Sequence, residues 1–232
     1  MEPIKTFRTE PLIQKHLIIA ASNNPVMKIL AFTDIHGNMK FLERLRKKAK
    51  KADIIVCAGD FTVFGVKTRQ ILGRINKLGK KTLLINGNHE DEKEVEKACS
   101  KLSNVDFIHK KSYSHGGCTI VGYGGGGFSI RDAGFESFTK RFIGRKNIIL
   151  ITHAPPYGTE LDMLWEHRGN KSIRDFIKKA NPLLAINGHF HEHFGKESRL
   201  KSTIILNPGP AGKIIDIERK NDEIILSPVR PA

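Results

Sequence analysis

Nine short apolar runs, several of them separated by amphipathic stretches, constrain this chain more than any other feature. They are KILAFT 28–33, DIIVCA 53–58, TLLIN 82–86, CTIVGY 118–123, NIILIT 147–152, LLAIN 183–187, TIILN 203–207, IIDIE 214–218 and EIILS 223–227. Short aliphatic, β-branched runs bounded by Gly, Asn and Asp read as buried strands. Helical periodicity fills about 39–51, 66–79, 90–101 and 170–180. The resulting β-α-β-α-β-α order predicts a largely parallel sheet. The last three runs have no helix between them, which predicts an antiparallel part. No stretch has the composition of a linker, so residues 27–232 read as a single domain and 1–26 as an N-terminal extension.

Five of the runs end in the same chemistry. The first is followed by Asp34-Ile-His36-Gly-Asn38, the second by Gly-Asp60, and the third by Gly-Asn88-His89-Glu90. The run 147–152 is followed by His153, and the run 183–187 by Gly-His189-Phe-His191. Ligands of open α/β sheets gather beyond the carboxyl ends of the strands. Residues spread along the chain therefore converge in space, and five of the ten histidines lie in these short stretches. The glycines beside them permit sharp turns and close backbone approach.

Two Asp, one Asn and several His, with no Cys among them, suit Mn, Fe, Ni, Co or Zn better than Cu(I) or an iron–sulfur cluster. There are more candidate ligands than one ion needs, so two ions are expected. A shared carboxylate would hold them roughly 3.5–4 Å apart, a spacing suited to in-line displacement at phosphorus.

The ordered set DIHGN, GD, GNHE, TH and GHFH resembles the calcineurin-like metallophosphoesterases, from about Met27 to at least Pro210. The resemblance implies an α/β fold, a two-sheet β-sandwich flanked by helices (α/β/β/α, with mixed sheets), carrying a dinuclear site on loops at one edge. It implies that Asp34, His36, Asp60 and His191 hold one metal. Asp60, Asn88, His153 and His189 would hold the second, with Asp60 bridging and manganese the favoured ion. His89 would be the catalytic residue, not a ligand, contacting the phosphoryl oxygens or protonating the leaving group. Asn38 occupies a supporting position. The run GDFTVFG lacks the Asp and Arg that follow this Gly-Asp in the protein Ser/Thr phosphatases. The chain looks more like the small single-domain prokaryotic phosphoesterases, many of which cleave phosphodiesters, and THAPPYGTELD 152–162 resembles a subgroup of these.

Other features are weaker. GYGGGGFS 122–129 has no Lys-Ser/Thr step, so it reads as a rim loop and not as a nucleotide-phosphate loop. NPGPAG 207–212 reads as a rigid turn between strands. Arg168 or Lys171 could reach a phosphate. His193 reads as a supporting or surface residue, and His16, His109, His115 and His167 as structural or exposed.

Bulk properties bound the setting. The 39 Lys+Arg against 24 Asp+Glu give a net charge of +15. The basic residues cluster in helical stretches such as RLRKKAKK 44–51, as solvated faces do, though the charge would also gather phosphorylated substrates. Cys57, Cys99 and Cys118 form no C-x-x-C pair, which points to a reducing cytoplasm. No apolar run approaches the roughly 18 residues of a membrane span. The expected activity is metal-dependent hydrolysis of phosphoesters, phosphodiesters favoured over monoesters, by attack of a metal-bridging hydroxide on a small phosphorylated substrate, of which a nucleotide is one candidate. A catalytically silent scaffold on the same fold and a nuclease or nucleic-acid binder are the alternatives.

Overall fold

Alternation within the apolar runs sends side chains to two different cores. In a computed structural model, which describes residues 25–220 and 223–226, the first strand is β1 (Pro25–Phe32). Its Ile29 and Ala31 enter one hydrophobic cluster, while Leu30 and Phe32 enter another. A strand apolar on both faces must be covered on both.

The first half of the chain continues with α1 (Met39–Ala49), β2 (Ile54–Cys57), α2 (Thr68–Asn76), β3 (Thr82–Leu84), α3 (Glu92–Cys99) and β4 (Val105–Phe107). Next come β5 (Lys111–His115), β6 (Cys118–Tyr123), α4 (Ala133–Thr139), β7 (Ile148–Thr152), α5 (Lys171–Ala180) and β8 (Leu184–Ile186). The chain closes with β9 (Glu197–Leu200), β10 (Thr203–Leu206), β11 (Lys213–Lys220) and β12 (Glu223–Leu226). Among the described residues these strands form two six-stranded sheets, ordered β12-β11-β1-β2-β3-β4 and β5-β6-β7-β8-β10-β9.

Both sheets are mixed. β1 to β4 run parallel, as do β6, β7, β8 and β10. Antiparallel partners close the edges: β11 on β1, β12 on β11, β5 on β6 and β9 on β10. The expected antiparallel part is therefore present but divided. β10 stays in the second sheet, while β11 and β12 cross to the first.

Facing side chains of both sheets, among them Ile29, Val56, Ile120, Ile151, Ile186 and Ile215, make the central core. The outer face of the first sheet packs under α1, α2 and α3 through Leu45, Leu72 and Val95. Phe135 of α4 and Phe176 and Ile177 of α5 cover the second sheet. The layering is α/β/β/α, the expected sandwich. Outer helix faces are basic: Arg44, Arg46 and Lys47 of α1 are exposed while Leu42, Leu45 and Ala49 are buried. Of the proposed extension 1–26, only Pro25 and Val26 fall among the described residues, and they open β1.

Candidate metal centre

The carboxyl ends of β1, β2 and β3 and those of β7 and β8 release their loops at one edge of the sandwich. The first two loops run together: Asp34 N–H donates to Gly59 O (3.1 Å), His36 N–H to Asp60 O (3.1 Å) and Gly37 N–H to Phe61 O (2.9 Å). Within the second sheet, Gly188 N–H donates to His153 O (3.0 Å). The two sheets are tied across the gap by His189 N–H, which reaches the Asp34 carboxylate at 3.1 Å.

Four loop residues adopt the left-handed region that L side chains avoid: Asp34 (φ 53°), His36 (φ 43°), Asp60 (φ 49°) and His189 (φ 73°). Each such residue costs about 1–3 kcal/mol and persists where surrounding structure enforces it. The two Ile-Asn-Gly steps provide part of that enforcement. A Cβ on Gly87 would collide with the Asp60 carboxylate, and one on Gly188 with Thr33 and the Asp34 carboxylate. Only glycine lets these backbones lie against the two aspartates.

Three groups of donor atoms gather here, each spanning no more than 4.8 Å: Asp34, His36 and His191; His36, Asp60 and His89; and Asp34, Asp60 and His153. His36 Nε2 lies 3.2 Å from His191 Nε2 and 4.0 Å from Asp34 Oδ1, with His191 Nε2 3.7 Å from the same oxygen. His153 Nε2 lies 3.3 Å from Asp60 Oδ2 and 3.0 Å from Asn88 Oδ1. Ligands at about 2.0–2.2 Å from a tetrahedral ion stand about 3.4 Å apart, so these spacings fit a cation between them. The His189 ring stands 5.2 Å from that of His153, and its buried Nε2 has no hydrogen-bond partner. A buried imidazole nitrogen without a partner is costly unless a cation takes its lone pair. The residues present therefore fit a metal. All seven expected ligands lie at this edge.

The histidines differ in what holds their second nitrogen. His36 Nδ1 faces Thr62 O at 3.0 Å and His153 Nδ1 faces Ala58 O at 2.8 Å. A carbonyl accepts, so each neutral ring carries its proton on Nδ1 and frees the Nε2 lone pair for a metal. His89 is the reverse. Its Nδ1 accepts the Phe64 backbone N–H at 3.2 Å, which places the proton of the neutral ring on Nε2. That atom lies 3.8 Å from Asp60 Oδ2, within ligand range by distance but set up as a donor.

Charge is coupled across the site. Burial alone would raise the Asp60 pKa, but the hydrogen bond and charge of His153, together with the His89 N–H, pull it down to about 2. Burial likewise opposes protonation of His153, and Asp60 overrides it, raising that pKa to about 9. Burial lowers His189 to about 4, helped by the positive charge of His153. The nearby Asp34 carboxylate raises His191.

Glu90 stands outside the expected set and has a clear place. Its buried carboxylate accepts Asp60 N–H (3.0 Å) and Gly87 N–H (2.9 Å) on Oε2. Oε1 accepts Thr62 N–H and Oγ1–H, both at 2.8 Å. One side chain thus fixes the loops after β2 and β3. Burial, then the charge of Asp60, raise its pKa. The signal available in sequence is its position directly after Asn88-His89.

The supporting residues also find places. Asn38 caps α1, accepting Lys40 N–H at 3.0 Å. His193 is buried and donates from Nε2 to Met163 O at 2.7 Å. His109 is buried and accepts Gly124 N–H at 2.8 Å, so the glycine loop is anchored at its base. Farther along that loop, a Cβ on Gly127 would stand 3.5 Å from Asn88, and the Phe128 ring meets that of His189 edge-on at 4.5 Å. Arg168 pairs with Glu166, and Lys171 lies over the Tyr157 ring. Asp162, from the subgroup-like stretch, is buried and accepts Thr159 N–H, Gly169 N–H and His167 Nδ1–H, which organises its own loop. His115 is exposed, and His16 lies outside the described residues.

Residues 27–193 match the sequence pattern of a family described as calcineurin-like phosphoesterase. The chain is 29% identical over 211 residues to an uncharacterized protein of Methanocaldococcus jannaschii, covering 84% of this chain and 94% of that one. Among solved structures, it is similar to a protein of Thermus thermophilus, with a TM-score of 0.65, 17% identity, and coverage of 88% of this chain and 99% of that one. It is also similar to a dimetal phosphatase from Danio rerio, with a TM-score of 0.57, 12% identity, and coverage of 88% and 96%.

Proposed function

The chain belongs to the calcineurin-like phosphoesterase family, and on that premise we propose a hydrolase that uses two divalent ions to cleave phosphodiesters. Asp34, His36, Asp60 and His191 would hold one ion, and Asp60, Asn88, His153 and His189 the other, with Asp60 shared. When bound, such ions supply Lewis acidity toward phosphoryl oxygens and lower the pKa of a coordinated water. Oxygen and imidazole donors without thiolate support Mn, Fe, Ni, Co or Zn, with Mn favoured.

The chain's own residues do the rest. Asp60 and Asp34 bring negative charge, and strained loops hold both carboxylates before any ligand arrives, so little reorganisation is left. His89 directs a fixed Nε2–H toward the phosphoryl group. Its neutral ring donates a hydrogen bond to the departing oxygen as that oxygen gains charge. The observation that carries this reading is the division among the histidines. His36 and His153 have Nδ1 against a carbonyl, whereas His89 has Nδ1 against an N–H. The first arrangement suits a ligand and the second a donor.

The substrate is proposed to be small and phosphorylated, a nucleotide being within this class. Exposure of the basic residues on the outer face of α1 supports a diffuse field over an aimed nucleic-acid contact. Three buried free cysteines support a cytoplasmic setting. Among the described residues no helix is long and apolar enough to cross a membrane. The test is a set of aryl phosphodiesters and monoesters sharing one leaving group, assayed with Mn, Ni, Co and Zn after chelation. Restored activity that favours diesters is expected. No hydrolysis with any ion would favour a silent scaffold, and a preference for monoesters would overturn the diester assignment.

A further inference from the structure

Phe64 stands where a buried aromatic would not. It is 78% exposed, yet its ring stacks on His89, with centroids 4.3 Å apart and planes inclined by 21°. One face is therefore covered by the proposed hydrogen-bond donor, and the other is open. Its backbone is left-handed, at φ 46°, a conformation that a bulky residue adopts only under constraint. Glycine would sit there without strain.

The segment carrying it is held firmly. Thr62 is bound by Glu90 through both N–H and hydroxyl. Gly65 N–H donates to Thr62 Oγ1 at 3.1 Å, Thr68 Oγ1–H to Gly65 O at 2.7 Å, and Phe64 N–H to His89 Nδ1 at 3.2 Å. Val63 and Val66, on either side, are exposed as well. The result is an apolar ledge, rigid before any ligand arrives, beside the residue that would donate a hydrogen bond to the leaving oxygen. In an in-line displacement the organic part of the departing alcohol leaves on that side.

We infer that Phe64 is a specificity-determining residue whose open face stacks on a planar ring carried by the departing group of the phosphoester. This rests on the proposed phosphoester site and adds the chemical class of the leaving group to it. Phe128, 67% exposed, borders His189 at the other half of the site. It serves as the internal comparison, since His89 selects the Phe64 side as the exit.

The test is titration calorimetry of metal-loaded protein with two non-hydrolysable probes. Both are used as monomethyl esters, to match a diester: benzylphosphonate places a CH₂ where a phenyl ester has its oxygen, and ethylphosphonate has the same phosphonate without the ring. The wild-type protein should bind benzylphosphonate about three- to tenfold more tightly, the range for one aromatic stack. Phe64→Ala should bring that ratio close to one, Phe64→Leu should leave part of it, and Phe128→Ala should preserve it. A wild-type ratio near one, a ratio unchanged in Phe64→Ala, or a ratio lost in Phe128→Ala overturns the assignment. If neither phosphonate binds the metal-loaded wild-type protein, the phosphoester reading itself falls.

Discussion

Replacing Glu90 by Gln removes one charge and changes almost no volume, yet it should be among the most damaging conservative changes in the chain. Both carboxylate oxygens accept two hydrogen bonds each, Oε2 from Asp60 and Gly87 and Oε1 from the two donors of Thr62. An amide supplies one oxygen. Its NH₂ must then face a pair of buried donors, whichever way it turns. Two stranded donors at about 1–3 kcal/mol each, with partial relaxation, give a loss of about 3–4 kcal/mol. For a chain of this size, 1 kcal/mol moves Tm by about 2–4 °C, so Glu90→Gln should melt about 6–16 °C lower. The assay is calorimetric unfolding of chelator-treated protein at about pH 8, on the alkaline side because burial and the charge of Asp60 raise the Glu90 pKa. The exposed Glu43→Gln is the control, with an expected change within about 0.5 kcal/mol. Metal affinity should fall too, because the backbones of Asp60 and Gly87 lose their common anchor. A Glu90→Gln protein within about 1 kcal/mol of wild type would refute the claim that this carboxylate holds the two loops.

His153 makes the metal-free protein sensitive to alkali. Its folded pKa near 9 lies above its unfolded value near 6.5, so its contribution is complete below pH about 6.5 and is lost as pH rises through about 9. Urea titrations of chelated protein should show stability falling by about 2–3 kcal/mol over that window. A His153→Asn protein with an equally steep profile would locate the cause elsewhere. Elemental analysis separates donor from ligand: His89→Ala should keep its metals and lose about 10²–10⁴-fold in turnover, less for good leaving groups. Asp60→Ala should lose both metals and activity, and metal loss from His89→Ala as well would make His89 a ligand. A chain beginning at Pro25 should fold and hydrolyse at the wild-type rate, and inactivity of the folded truncation would give the preceding residues a role in the site.

The strands with two buried faces were legible in the sequence because continuous apolar runs such as IILIT leave little else to form. Three of the four edge strands were not, EIIL of β12 being the exception. β5 reads KSYSH and is exposed along most of its length, and β9 reads ESRL; both are defined by pairing with neighbours, which no local pattern encodes. β4 has only three residues, too few for a period to register. α4 is not evident in the sequence because seven residues after a glycine-rich stretch carry a weak stripe, although Asp132 caps it. The strand-end position of the candidate ligands was readable, and these residues do gather at one edge. The roles of Glu90 and Phe64 were not readable. An acidic residue beside His89 gives no sign that it will turn inward to four donors. A backbone N–H that sets the tautomer of His89 leaves no trace in residue type.

Two ions sharing Asp60 are the central claim, and anomalous scattering tests it most directly. Crystals grown with Mn and measured at its absorption edge should show two peaks roughly 3.5–4 Å apart, one on each side of the Asp60 carboxylate. One peak should be ringed by Asp34, His36 and His191, and the other by Asn88, His153 and His189, with His89 bound to neither. A single peak, or a peak with His89 Nε2 in its coordination shell, would contradict the claim.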